Sequence, residues 1–397
     1  MIGWALATLG ALLVSAVLAK LGQVAPQPGG PCAYAEGALG RYMGFQAYAI
    51  YWLCALLGNI AIAVAVVGYL AHFFPTLALP LHAALAATGA IWLLTLANIA
   101  GPRFACQLES ATLAIGLIPL ALVGIAGWWF FDAEIFRASW NITHQPLYAV
   151  VPGSLVLVFW AFLGLESASI SAAVVDNPQR NVPLATLGGV LVTGLVYTAA
   201  CGVIMGLIPA TQLAKSTAPF ADAAQLMVGP LAGSIVALAA LLKASGTLCG
   251  WVLLTAQVSK AGSDRGFFPA ALARVDRDGV PVINLLIQAV LMSGVVFATM
   301  SPTLNQQFNK LVAVSVILSL LIYLYGSVAV WQFHIEGYRV IAMLAMLFCL
   351  GVIVMSGTQL LALTAVILLA TCLLYPLVLG KEDPRSTPRT ARSRPAA

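Results

Sequence analysis

Eleven long apolar segments are the feature that most constrains how this chain can fold. They lie at about residues 2–19, 43–70, 83–100, 110–130, 148–173, 184–208, 231–259, 280–300, 310–332, 337–356 and 359–379. A helix that crosses the hydrocarbon core of a bilayer needs about 20 apolar residues. The segments are continuous rather than alternating in hydropathy, which excludes the strands of a membrane β-barrel. They therefore predict an all-α membrane protein with about eleven transmembrane helices in one domain, residues 1–380.

The scarcity of charge supports the same conclusion. Charged residues make up 8% of the chain and hydrophobic residues 61%, whereas soluble domains carry roughly 25% charged residues. Most of this surface must therefore face lipid. The sequence contains no motif for ATP binding, for a nucleophilic triad or for a metal. We therefore predict a secondary transporter, not an enzyme, with no cofactor or metal and no nucleic-acid partner.

Basic residues are distributed unevenly between the two sides of the predicted membrane domain. On one side lie Lys20, Arg41, Arg103, Arg180, Lys260, Arg265, Arg274, Arg277, Arg339, Lys381, Arg385, Arg389, Arg392 and Arg394. On the other side lie Arg137, Lys215 and Lys310. Because basic loops remain in the cytoplasm, the C-terminus is predicted to be cytoplasmic, in a bacterial inner membrane. Residues 381–397 are predicted to form a disordered basic tail.

Glu166 and Lys243 are predicted to be the two ionisable residues well inside the spans. Such residues are costly in lipid, so each is expected to face a cavity or a partner. Gly164 precedes Glu166 in a Ser-rich stretch, a pattern that favours a helix broken in the middle of the membrane. The nearby Trp160 ring could attract a cationic solute. The alternative is an ion pair between Glu166 and Lys243 that only joins two helices.

Polar side chains recur at helical spacing on three further segments. These stripes are formed by Tyr51, Cys54, Ala55 and Asn59, by Lys243, Thr247 and Trp251, and by Ser315, Ser319 and Tyr323. Small and hydroxyl residues are also common where membrane helices simply pack, so each stripe alone allows that interpretation. Taken together with the Glu166 segment, the stripes predict a shared polar cavity.

Several longer motifs carry a family resemblance. They are PGGPCAYAEGALG (28–40), YWLCALLGNIAIAVAVVGYLAHFFP (51–75), WAFLGLESASISAAVVDNPQRNVPLATLGG (160–189), STAPFADAA (216–224), SGTLCGWVLLTAQVSKAGSDRGFFP (245–269) and SPTLNQQFNKLVAVSV (301–316). With them the chain resembles the basic amino acid/polyamine antiporters of the amino acid–polyamine–organocation superfamily. These proteins exchange arginine for agmatine, lysine for cadaverine or ornithine for putrescine.

The resemblance implies an inverted-repeat transporter fold of five plus five helices followed by two more. It also implies roles for individual residues. The implied substrate-binding residues are Trp160, Asn59, Cys54, Ala55, Leu163, Glu166, Trp251, Thr247 and Ser315. The implied gating residues are Tyr51, Trp160, Glu166 and Tyr323. Lys243 departs from the family pattern and is interpreted as a possible modulator of charge in the site.

The first segment resembles the second helix of the family, so the first helix is expected to be missing from this sequence. The odd number of spans, with Met1 outside, agrees with that expectation. The predicted function is antiport of a cationic amino acid and its decarboxylated amine, by a possible homodimer in the lipid bilayer. The alternatives are a transporter of neutral or zwitterionic amino acids, in which Lys243 pairs with Glu166, and a transport-inactive truncated remnant.

Overall fold

The structure, a computed structural model, describes residues 1–25, 29–166 and 177–379, and every regular element in these ranges is helical. The α-helices are α1 (Ile2–Val24), α2 (Pro31–Leu39), α3 (Arg41–Ala71), α4 (Pro80–Ala100), α5 (Pro102–Ala126), α6 (Ala133–Ser139), α7 (Leu147–Phe159), α8 (Pro178–Leu207), α9 (Ala210–Leu213), α10 (Pro219–Val228), α11 (Pro230–Asp264), α12 (Val282–Ala298), α13 (Leu304–Gln332), α14 (Arg339–Met355) and α15 (Thr358–Leu379). Short 3₁₀ helices lie at Pro75–Ala78, Gly127–Phe130, Trp160–Phe162, Ala270–Ala273 and Glu336–Tyr338.

The number and type of the predicted spans agree with this architecture. Within the described ranges, nine helices are long and apolar enough to cross a membrane, and two shorter apolar helices lie at Leu147–Phe162 and Val282–Ala298. Each of the predicted segments overlaps one of these helices, which confirms the all-α membrane fold. Residues 167–173 of the fifth predicted segment lie outside the described ranges. The predicted tail, residues 381–397, lies outside the described residues.

Helix boundaries differ from the hydropathy prediction where proline begins a helix. Pro80 and Pro102 occupy the first helical position of α4 and α5, where the missing N–H would have no partner in any case. The early start of α5 brings Glu109 inside a membrane helix. Glu109 is therefore an ionisable residue in a membrane helix that the hydropathy prediction did not single out.

A unit of short helix, glycine and long helix occurs twice in the chain. The first copy is α2, Gly40 and α3, and the second is α10, Gly229 and α11. Gly40 has φ 90° and ψ 173°, and Gly229 has φ 109° and ψ 176°, a conformation that side chains disfavour. In both copies a glycine four residues into the long helix, Gly44 or Gly233, packs against the short helix. The two units thus share a local geometry as well as an order of elements.

The long helices of the two units run in opposite directions beside each other. The start of α3 lies at the end of α11, where the Arg41 guanidinium donates a hydrogen bond of 3.5 Å to the Arg265 carbonyl. Further along, the Asn59 amide donates to the Thr255 hydroxyl over 3.0 Å. An inverted repeat requires this antiparallel arrangement. Together with α13, these helices surround the centre of the molecule, while most of α15 faces outward.

Candidate functional site

A cavity of about 330 Å³ lies among α3, α8, α11, α13 and the segment that follows α7. It is lined by Tyr51, Cys54, Ala55, Gly58, Ile62, Ala65, Trp160, Ala161, Leu163, Glu166, Tyr197, Lys243, Ala244, Thr247, Trp251 and Ser319. Ten of the residues selected from the sequence lie in this lining: Tyr51, Cys54, Ala55, Trp160, Leu163, Glu166, Lys243, Thr247, Trp251 and Ser319. Residues far apart in sequence therefore meet around one space of the size of a small solute.

The end of α7 forms one wall of the cavity, and helical geometry ends there, where a break was predicted. Residues 167–176, in which the predicted span would continue, lie outside the described ranges. The α-helix ends at Phe159, and a single 3₁₀ turn covers Trp160–Phe162. Gly164 then adopts φ 102°, a value that ends helical geometry and favours glycine. The segment thus leaves the helix at membrane depth, where irregular backbone is tolerated only beside protein or a cavity.

Glu166 is the acidic group of the cavity and is 1% exposed. The Tyr51 hydroxyl donates to its Oε1 over 2.6 Å, and the Tyr323 hydroxyl donates to its Oε2 over 2.7 Å. The backbone N–H of Gly164 also donates to Oε2, over 3.2 Å. Hydrogen bonds of this kind offset much of the cost of burying a carboxylate. The carboxylate therefore joins the broken segment to both α3 and α13.

The α3 wall carries small residues at the centre of the cavity. Cys54 and Gly58 lie one helical turn apart in the lining, and the Cys54 thiol donates to the Ser315 carbonyl over 3.2 Å. Asn59 points elsewhere, because its amide nitrogen binds Thr255 in α11. The buried Asn59 carbonyl oxygen has no hydrogen-bond partner among the described residues.

The α11 wall carries Lys243, Thr247 and Trp251 at intervals of four residues, as predicted. The Thr247 hydroxyl donates to the Lys243 carbonyl over 2.9 Å, so its hydrogen-bond donor has a partner within the same helix. The stem of Lys243 lies against Gly116 of α5, where any side chain would collide with it. In the part of the chain that the structure describes, Lys243 and Glu166 form no ion pair. The two charges instead share a cavity lining.

Two aromatic side chains of the lining are only partly buried, Trp160 and Trp251. The Trp160 ring meets the Phe308 ring edge to face, with centroids 5.3 Å apart and an interplanar angle of 81°. Phe308 therefore orients the indole while the Trp160 side chain still borders the cavity. An indole face in this position can attract a cation, by about 2 kcal/mol when water is excluded.

Three predicted site residues do not line the cavity: Asn59, Ser315 and Tyr323. Tyr323 contacts the lining residue Glu166 by a hydrogen bond, and the Ser315 carbonyl accepts a hydrogen bond from the lining residue Cys54. The direct contact of these residues with a substrate stays a prediction. Sequence reasoning missed Gly58, Ile62, Ala65, Ala161, Tyr197 and Ala244. The spacing of Cys54, Gly58 and Ile62 could have revealed two of them, whereas no ionisable residue near Tyr197 marked α8.

Glu109 lies outside the cavity lining, on the face of α5 that packs against α11. A side chain at Gly250 would collide with its carboxylate. Among the described residues, no group of three His, Cys, Asp or Glu side chains could hold a metal ion.

Comparison with known proteins places these features in a family context. The profile described as amino acid permease matches residues 1–379. The putrescine transporter PotE of Escherichia coli strain K12 is 37% identical over 328 residues, which are 83% of this chain and 75% of the relative. PotE of Haemophilus influenzae is 34% identical over the same shares. The cadaverine/lysine antiporter of Escherichia coli strain K12 is 32% identical over 383 residues, 94% of this chain and 86% of the relative.

Proposed function

The chain belongs to the amino acid permease family, and from this premise we propose that it exchanges a cationic amino acid for the corresponding decarboxylated amine. The exchange is secondary transport by alternating access to one central site. Arginine, ornithine or lysine is the amino acid, and agmatine, putrescine or cadaverine is the amine. The names of the relatives, a putrescine transporter and a cadaverine/lysine antiporter, support this class of substrate.

The observation that carries the proposal is the buried carboxylate of Glu166 at the cavity wall. A carboxylate at membrane depth is retained against a substantial free-energy cost, and a cation is the solute that most offsets that cost. The partly buried indoles of Trp160 and Trp251 offer the same cation two aromatic surfaces. A diamine and a basic amino acid share the ammonium or guanidinium group that this wall recognises.

The hydrogen bonds of Glu166 also support a gating role for Tyr51 and Tyr323. They join three separate elements at one side of the cavity. A solute that passes this point has to separate the elements, and a cation that binds Glu166 competes with the tyrosine hydroxyls for its oxygens. Arrival of the solute and opening of the path are thereby coupled.

Lys243 favours a second candidate, transport of a neutral or zwitterionic amino acid. Its position in the lining adds a positive group to the cavity, which repels a cation and attracts a carboxylate. An amino acid could then bridge Lys243 and Glu166 with its two charged groups. A decarboxylated amine lacks the carboxylate, so the two candidates differ in whether amines are accepted.

We further propose that the protein resides in the bacterial inner membrane with a cytoplasmic C-terminus, as a homodimer. The unequal distribution of basic residues supports the orientation. The bacterial source of the relatives supports the membrane assigned.

The proposal is tested by exchange in proteoliposomes. Vesicles are loaded with agmatine, putrescine or cadaverine, and uptake of labelled arginine, ornithine or lysine is measured against empty vesicles. We expect uptake of one amino acid to depend on the internal amine. Uptake of neutral amino acids without any amine exchange would favour the second candidate. Failure of every pair of cationic amino acid and amine would contradict the first candidate.

A further inference from the structure

A second, larger cavity lies on the outside of the molecule. It has a volume of about 760 Å³ and opens between α3 and α15 above the loop that follows α11. Phe45, Ala49 and Trp52 line it from α3, and Leu374 lines it from α15. Its residues do not overlap those of the central cavity. We refer to this outer cavity as the groove.

The interior of the groove offers apolar surface and little else. Its two hydroxyl side chains are already engaged, because Ser263 donates to the Ser259 carbonyl over 3.0 Å and Thr371 donates to the Leu368 carbonyl over 2.7 Å. The buried indole N–H of Trp52 has no hydrogen-bond partner among the described residues. The Trp52 ring packs on the Phe268 ring with centroids 5.6 Å apart. A partner that fills this space must therefore be largely hydrocarbon.

The length of the groove matches one leaflet of a bilayer. On α3 it extends from Phe45 to Leu53, which is about 12 Å along a helix that rises about 1.5 Å per residue. Half of the hydrocarbon core is about 15 Å deep. The groove thus has the dimensions of the acyl region on one side of the membrane.

The mouth of the groove is cationic. Arg41 is exposed one turn before Phe45, and its guanidinium carbon lies 5.4 Å from the centroid of the Phe267 ring, which lines the groove. The Arg265 guanidinium lies nearby, 5.7 Å from the centroid of the Tyr48 ring and paired with Glu36. Basic pockets between membrane helices on the cytoplasmic side suit anionic lipid headgroups.

We propose that the groove binds an anionic phospholipid of the leaflet that faces the basic loops. Its acyl chains occupy the space between α3 and α15, and its phosphate lies at Arg41. Charge decides between this occupant and a second copy of the chain. A twofold contact at this face would bring the same cationic mouth to both sides of the interface, whereas an anionic lipid complements it.

Quenching of tryptophan fluorescence by brominated lipid tests the proposal. The purified protein is reconstituted with brominated phosphatidylglycerol or brominated phosphatidylcholine, and the quenching that disappears in Trp52→Phe reports occupancy of the groove. We expect phosphatidylglycerol to bind more tightly than phosphatidylcholine. Arg41→Gln should weaken phosphatidylglycerol about fivefold, the effect of one basic group near an anionic surface.

Two further variants separate the lipid from a folding defect. Ala370→Trp fills the groove from α15 and should abolish the Trp52-dependent quenching by both lipids, while Ala365→Trp, on the same helix outside the lining, should leave it unchanged. Arg277→Gln, an exposed arginine beyond the groove, is the charge control. Equal quenching by both lipids that Arg41→Gln leaves unchanged would overturn the proposal. So would a dimer in which neither lipid reaches Trp52, because a second copy would then cover the groove.

Discussion

At the scale of single residues, the central cavity depends on how a buried carboxylate is kept in place. Glu166 accepts hydrogen bonds from two tyrosines that belong to different helices. Each hydrogen bond to a charged group contributes about 1.5–3 kcal/mol. The tyrosines therefore stabilise the carboxylate while no solute is present. A cation that displaces one tyrosine hydroxyl compensates for the lost hydrogen bond with its own interaction with the carboxylate. Stability and recognition use the same atoms here.

Replacement of Glu166 with Gln is the first test of this arrangement. The amide keeps the size of the side chain but removes the charge, so the exchange of cationic substrates should fall by about 10-fold to 100-fold, the equivalent of about 1.5–3 kcal/mol. Initial rates of labelled uptake into amine-loaded proteoliposomes measure the change. Glu336→Gln, an exposed carboxylate in the 3₁₀ helix before α14, is the matched control and should transport normally. Undiminished exchange in Glu166→Gln would refute the role of the charge.

Lys243 allows the opposite substitution in the same cavity. Removing the positive charge of Lys243 should strengthen the binding of a cation about 10 Å away about tenfold, as expected for an effective dielectric constant near 20. We therefore expect Lys243→Ser to lower the KM for the cationic substrate, measured in the same assay. Lys310→Ser, an exposed lysine outside the lining, should have no effect. A loss of zwitterionic amino acid uptake in Lys243→Ser would instead identify Lys243 as a carboxylate-binding residue.

At the scale of elements, the end of α7 determines where Glu166 is presented. The helix stops at Phe159, and Gly164 turns the backbone with φ 102° so that its own N–H faces the carboxylate. A residue with a side chain would hold this conformation only with strain. The end of the helix is thus part of the geometry of the cavity.

Alanine substitution distinguishes this glycine from its neighbours. Gly164→Ala should destabilise the protein by about 1–2 kcal/mol, the cost of a left-handed conformation with a Cβ atom, and should reduce exchange. Gly153→Ala in α7 meets open space in regular helix, so it should be neutral or slightly stabilising. Thermal unfolding in detergent, followed by the exchange assay, compares the two. Equal stability of both variants would argue against a strained backbone at Gly164.

The sequence predicted the elements of this site better than their contacts. Glu166 and Lys243 were identified because ionisable groups are rare inside apolar segments, and helical spacing identified Tyr51. It could not reveal that Asn59 turns toward Thr255 or that Gly58 lies in the lining, since those outcomes depend on how α3 is rotated against its neighbours. Glu109 escaped notice because hydropathy does not register that Pro102 begins a helix before the apolar stretch.

At the scale of the whole molecule, the uneven distribution of basic residues predicts one orientation in the membrane. A green fluorescent protein fused to the C-terminus should therefore fluoresce, and an alkaline phosphatase fused there should be inactive. Phosphatase fused after Asn141, in the exposed loop between α6 and α7, should be active and serves as the control. Phosphatase activity at the C-terminus would reverse the assignment of sides, and with it the leaflet assigned to the groove.

The twice-used unit built on Gly40 and Gly229 has a consequence for energetics. The two copies of the unit have similar geometry and their long helices run in opposite directions. They can therefore form similar access paths to the two sides of the membrane. Exchange through such a protein is reversible. The concentration ratios of the two solutes across the membrane determine its direction. The gradient of the solute that accumulates within the cell drives the uptake of the other. Reversing that gradient reverses the direction of exchange, with no change in the protein.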